Sequence, residues 1–121
     1  MTQPPRSQHA VVLFAHGSRD PLWRQPIEAV ATRVRQLNPG VPVRCAYLEL
    51  TEPDLPTVAA ELAALGITSL SVVPLFLGVG RHARDDLPQL VQMLRVRHPT
   101  MAFSLKPSIG EDPQIIDTIA Q

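Results

Sequence analysis

The sequence predicts an α/β fold: one domain whose elements run βαβαβαβα, with a mostly parallel four-stranded sheet flanked by helices. Three observations predict it. Four short apolar runs alternate with four segments of helical period, the pattern of βα units wound around one sheet. The first and third runs are continuous rather than alternating, as strands covered on both faces are. The chain has 121 residues, 45% of them hydrophobic and 18% charged, with zero formal net charge, enough for a single core that buries roughly two thirds of the unfolded chain's surface.

The elements follow in order. Residues 1–9 are polar and proline-containing and read as an N-terminal extension to a domain spanning 10–121. Ala10 to Ala15 form the first strand. Trp23, Ile27, Val30, Ala31, Val34 and Leu37 recur at steps of three and four and give one apolar helical face. Pro26 belongs in that helix's first turn, and "NPG" at 38–40 stops it. Val41 to Leu48 read as a second strand. From about Pro53 a second helix turns Leu55, Val58, Ala59, Leu62 and Leu65 inward, with Gly66 just past its end. Leu70 to Leu77 are the most apolar run and so a central strand. Asp85 and Asp86 suit the positive N-terminus of a third helix, whose inward face is Leu87, Leu90, Val91 and Leu94. "HPT" at 98–100 ends it, Met101, Phe103 and Leu105 alternate as in an edge strand, and a last helix starts near Asp112.

Composition excludes several classes of function. A neutral chain has no field to draw it to nucleic acid. Cys45 is the only cysteine, which excludes an internal disulfide or a multi-thiolate metal site within one chain. No apolar stretch has the length of a membrane span or the form of a signal peptide, so a cytoplasmic location is expected. The glycines after the third strand are not spaced GxGxxG, no Walker lysine is present, and Ser18 lies in "HGSRD" rather than GxSxG.

Ligands of open parallel sheets bind beyond the carboxyl ends of the strands. His16 follows the first strand, Glu49 and Glu52 follow the second, and Leu77 to His82 follow the third, so all project to one edge. Either histidine alone is as well explained by a structural imidazole; two at equivalent strand ends favour function, because neutral imidazole binds divalent metals and accepts protons near neutrality. A carboxylate beside them completes a mixed nitrogen and oxygen site or relays protons. Glu52 equally suits a helix N-terminus. Gly78 and Gly80 serve a tight turn or admit a bulky ligand close to the backbone. Every basic residue but Lys106 is arginine, and Arg19, Arg81 and Arg84 lie near the two histidines, where guanidinium groups suit carboxylates. His9 and His98 read as surface or capping residues, and Cys45 as core.

"AHGSRD", "LELTEPDLP", "VVPLFLGVGRHARDDLP" and "KPSIGEDP" together resemble the class II tetrapyrrole chelatases, in particular the short CbiX-type sirohydrochlorin chelatases, cobaltochelatases and SirB-like ferrochelatases. The resemblance runs from Val11 to Ile119. It implies insertion of Co²⁺ or Fe²⁺, or Ni²⁺, into sirohydrochlorin in cobalamin or siroheme-type biosynthesis, with the metal as substrate and no organic cofactor. By position it implies that His16 is metal ligand and proton acceptor, His82 the second ligand, Glu49 a metal-side carboxylate and Glu52 a substrate contact. Leu77, Gly78, Val79, Gly80, Arg81 and His82 would wall the macrocycle, with Ser18 and Arg19 also on the substrate. Arg19, Arg81 and Arg84 are candidate partners for its eight carboxylates. Long relatives carry two such domains around one cleft, which implies a homodimer here; the family pattern continues a little beyond Gln121. Two other functions stay open: a non-catalytic carrier of metal or tetrapyrrole, which would use the same residues, and a small metal-dependent hydrolase, which would need a third strong ligand and a pocket without macrocycle dimensions.

Overall fold

In the computed structural model the described residues are 8–78 and 80–121, the side chains of His82 and Ala83 excepted. Four strands, β1 (His9–Ala15), β2 (Val43–Tyr47), β3 (Ser69–Pro74) and β4 (Ala102–Leu105), alternate with α1 (Gln25–Leu37), α2 (Leu55–Ala64) and α3 (Arg81–Arg97). A short 3₁₀ turn, Ile109–Glu111, leads into α4 (Pro113–Ala120). The sheet order is β2-β1-β3-β4 and every pairing is parallel. β1 and β3 are therefore the inner strands, as their continuous apolar runs require.

The two faces of the sheet carry separate cores. Ala10, Val12 and Phe14 of β1, with Leu70 and Val72 of β3, pack under Leu55, Val58 and Leu62 of α2 and Val91 and Leu94 of α3. Leu13 of β1 and Val43 of β2 meet Ala31 of α1 on the other face, with Val11, Val34 and Cys45 around them. The alternation follows from the two-residue period of a strand.

Local chemistry sets the helix ends. Asp54 caps α2 by accepting from the Thr57 N–H at 2.9 Å. Gly66, at φ +85°, takes the left-handed position past the end of α2. Asp112 caps α4 in the same manner, through the Gln114 N–H at 2.8 Å.

Several expected boundaries move. β2 is confined to Val43–Tyr47 and β3 ends at Pro74, so Leu75, Phe76 and Leu77 belong to the loop that follows. Pro74 has no N–H for the ladder, yet the Leu75 N–H still reaches the Phe14 carbonyl at 2.7 Å. α3 begins at Arg81, not beside the aspartates, with Gly80 as its N-cap. Asp85 and Asp86 thus stand in the second turn and Pro88 lies inside the helix, where it forfeits one bond to the Arg84 carbonyl. His9, placed before the sheet by the sequence, is the first residue of β1. Its Nδ1 lies 2.8 Å from Ser69 Oγ and its Nε2 3.2 Å from Ser71 Oγ, a structural imidazole at the end of the sheet away from His16.

Candidate functional site

The strand order reverses between β1 and β3: from β1 the chain moves to β2 on one side, then crosses back to β3 on the other. The loops leaving the carboxyl ends of these strands part at that point and leave a crevice. A cavity of about 600 Å³ opens there, lined by Phe14, His16, Leu48, Glu49, Phe76, Gly80, Arg81, Asp86, Leu87 and Leu90.

His16 is the first residue past β1 and is exposed to this cavity. Its ring stands edge-on to Phe76, centroids 5.3 Å apart at 67°, and Phe76 in turn meets Phe14 edge-on at 6.0 Å. Two phenyl rings therefore floor the cavity and hold the imidazole at its mouth. Main-chain bonds bring Glu49 beside it. The β1–β2 ladder continues past both strand ends, the Leu48 N–H donating to the Ala15 carbonyl at 2.9 Å and the Glu49 N–H to the His16 carbonyl at 3.0 Å. Thr51 then clamps the next residue, its hydroxyl accepting from the Ser18 N–H at 3.0 Å and donating to the Ser18 carbonyl.

This approach is possible only at a glycine. Gly17 has φ +104°, and a Cβ there would lie 1.7 Å from the Glu49 carbonyl oxygen. The "HG" of "HGSRD" is thus one device: the histidine is presented because the next residue has no side chain to hold the β2 loop away. A second close approach supports the opposite wall. Gly110 packs against the main chain at Leu77, where a Cβ would lie 1.7 Å from its carbonyl oxygen, and the Gly110 N–H donates to the Phe76 carbonyl at 3.1 Å. That contact accounts for "KPSIG", whose part in the site the sequence alone does not reveal.

The expected site residues divide. His16, Glu49, Gly80 and Arg81 line one cavity. Glu52 does not line it; it lines one hollow that Leu48 and Glu49 share with the His16 cavity, and another with Arg24, Arg35, Cys45 and Tyr47. Leu77 is 66% exposed and faces a hollow of about 310 Å³ with Arg84, Lys106 and Ser108, separated from the His16 cavity by Leu87, which lines both. Gly78 is exposed and lines neither. Ser18 organises its own turn, its Oγ accepting from the Asp20 N–H at 3.1 Å, and Arg19 is exposed. Val79 and the His82 side chain lie outside the described residues. His82 itself occupies the second position of α3, one residue beyond Arg81.

The sequence missed Phe14, Phe76, Leu48, Leu87, Leu90 and Asp86. The phenylalanines are hidden in apolar runs that any buried strand would show. Asp86 carried a signal, since it lies four residues after His82 and so one helical turn along the same element. Cys45 is no candidate: burial pushes its thiol above the ordinary range, which disfavours the thiolate that binds metal. Tyr47, pushed up to about 12 mainly by burial, stays neutral at physiological pH and packs edge-on to Trp23 at 6.2 Å.

The cavity joins nitrogen and oxygen donors to an apolar floor. Among the described residues no three imidazole, thiol or carboxylate groups converge to hold a metal ion. No helix among the described residues is long and apolar enough to cross a membrane.

The CbiX family model matches residues 10–121. The sirohydrochlorin cobaltochelatase of Methanopyrus kandleri is 37% identical over 82 residues, covering 68% of this chain and 57% of that protein. The sirohydrochlorin ferrochelatase of Bacillus subtilis is 29% identical over 113 residues, 93% of this chain and 43% of that one. The chain therefore spans less than two thirds of the length of these two relatives. Among solved structures, a CbiX protein of Marinobacter aquaeolei superposes with a TM-score of 0.82 and 34% identity, covering 93% of this chain and 91% of that one. SirB from Bacillus subtilis subspecies spizizenii, solved in complex with cobalt, gives a TM-score of 0.73 and 28% identity, with 93% of this chain on 48% of that one.

Proposed function

The chain belongs to the CbiX family, and from that premise we propose that it is a sirohydrochlorin chelatase, inserting Co²⁺ or Fe²⁺, with Ni²⁺ a third candidate. The observation that carries the proposal is the cavity at the sheet's reversal point, where His16 and Glu49 are tied together by main-chain bonds over a floor of Phe14 and Phe76.

Metallation replaces two pyrrole N–H protons by one divalent cation. The site must hold the cation weakly, strip its water and give the protons somewhere to go. His16 and His82 are assigned as metal ligands and Glu49 as the carboxylate beside them. The lone pair that holds the cation cannot also take a proton, so His16 accepts one only after the metal has left it, whereas Glu49 has a second carboxylate oxygen that can accept one while the first faces the metal. Imidazole and carboxylate donors with open positions release as well as bind, which a closed thiolate cage does not. Arg81, which lines the cavity, is assigned to a peripheral carboxylate of the macrocycle. Glu52, Leu77, Ser18, Arg19 and Arg84 are then contacts of the macrocycle's outer rim or supports of the loops, since other surfaces than the His16 cavity hold them.

A second copy of the chain completes the enclosure in this proposal. One cavity of about 600 Å³ takes only part of a tetrapyrrole, and the family's longer member SirB has about twice the chain that matches here. A homodimer with the two strand-end edges opposed supplies the other wall. The lone cysteine, free and half-buried, suits the reducing cytoplasm to which we assign the protein.

The test is spectral. Protein, sirohydrochlorin and each of Co²⁺, Fe²⁺ and Ni²⁺ are mixed, and the absorption change is followed against the spontaneous rate. Acceleration with more than one metal inserted per site is expected; a stoichiometric change that stops after one metal identifies a carrier instead, and no acceleration with any metal refutes the assignment.

A further inference from the structure

The walls of the His16 cavity are unevenly charged. Glu49 stands on the β2 side, and α3 contributes Arg81 and Asp86. Asp86 is the only acidic residue that the α3 wall brings to the cavity, and its carboxylate makes no hydrogen bond or ion pair among the described residues. A structural role in the helix does not require it there, because α3 starts at Arg81 and leaves Asp86 beyond the first turn, where the helix dipole has faded. Nor is Asp86 a third ligand beside His16 and Glu49 as they stand, since no three such groups among the described residues converge on one point.

A carboxylate across a cavity from an imidazole–carboxylate pair does what close ligation cannot. It attracts a cation that still carries its water and contacts it through that water, with no need for short metal–oxygen distances. The cation then meets its inner donors on the opposite wall. Among the described lining residues, two carboxylates stand against one guanidinium, an excess of negative charge that favours a divalent cation ahead of the polyanionic macrocycle.

We propose that Asp86 is a cation-receiving residue, holding the hydrated divalent metal on the α3 wall before it passes to His16 and Glu49. This rests on reading the cavity as a metal-insertion site. The test uses Co²⁺ alone, titrated calorimetrically into the wild-type protein and into Asp86→Asn, Asp86→Glu and Asp85→Asn, with circular dichroism checking that each is folded. Asp86→Asn is expected to weaken Co²⁺ binding five- to tenfold, Asp86→Glu to restore it to within twofold, and Asp85→Asn, exposed and outside the cavity lining, to leave it within twofold. Affinity for sirohydrochlorin, followed by its absorption, is expected to be unchanged in Asp86→Asn. Co²⁺ binding by Asp86→Asn equal to wild type overturns the proposal, as does an equal loss in Asp85→Asn, which would mark a diffuse charge effect. A parallel loss of sirohydrochlorin affinity overturns it too, by placing Asp86 on the macrocycle. No tetrapyrrole enters the Co²⁺ titration, so a chain that binds Co²⁺ through Asp86 but never metallates refutes the chelatase assignment and leaves this inference standing.

Discussion

At the scale of single residues, chemistry and stability fall on neighbouring positions. His16 is exposed and touches the fold through one edge-on ring contact, so His16→Ala should cost no more than about 1 kcal/mol of stability. It should nevertheless remove most metallation, roughly 100-fold or more, as the loss of a ligand or acid–base group does. His82→Ala is expected to behave alike in the sirohydrochlorin assay, and unchanged turnover in both variants would refute their assigned roles. Gly17→Ala inverts the pattern. Its backbone sits at φ +104° and a methyl would strike the Glu49 carbonyl oxygen, so a loss of about 3 kcal/mol is expected in urea unfolding. The sequence displayed both histidines because polar residues interrupt apolar runs there. It showed Asp86 only as the charge of an expected helix start, which the chain places four residues earlier, and it hid the phenylalanine floor, whose residues look like any strand interior.

The elements show why the architecture was readable and its boundaries were not. Apolar period fixed the number, type and order of strands and helices, but where an element stops is decided by single hydrogen bonds. β3 loses three expected residues at Pro74, and α3 gains four because Gly80 adopts the extended cap geometry. Caps are therefore where element-scale predictions belong. The Asp54 carboxyl is held below its ordinary range by the side-chain hydroxyl and then the backbone N–H of Thr57. A group with a depressed folded-state value stabilises fully above its unfolded value, about 3.9 for Asp, and loses that contribution as pH falls through the lower folded value. Asp54→Ala is expected to cost about 1 kcal/mol near neutrality, and the gap between variant and wild type in urea melts should narrow as pH is lowered toward about 3. A gap that stays constant would show that the cap's charge contributes nothing. Deeper in α2, Leu62 is fully buried between helix and sheet, and Leu62→Ala should cost about 2–5 kcal/mol in the same melts.

Over the whole molecule, the predicted parallel α/β layering is what the structure has, and the proposed site lies at one rim. On the proposed function, a rim belonging to a single chain would enclose only part of a large flat ligand, so the assembly in solution becomes the decisive measurement. Sedimentation velocity is expected to give a dimer at concentrations that support turnover, and a monomer with full chelatase activity would overturn the shared-cleft arrangement.

The ladder that runs on from β1 and β2 to join the backbones of His16 and Glu49 has a practical consequence. It uses main-chain atoms only, and so it is indifferent to which side chains stand at positions 16 and 49. The pair is mounted on a socket whose shape survives a change of fitting. On the proposed assignment of His16 as a metal ligand, exchanging it for cysteine, aspartate or methionine would vary donor softness at a fixed position, turning the domain into a scaffold on which metal preference can be reset one atom at a time.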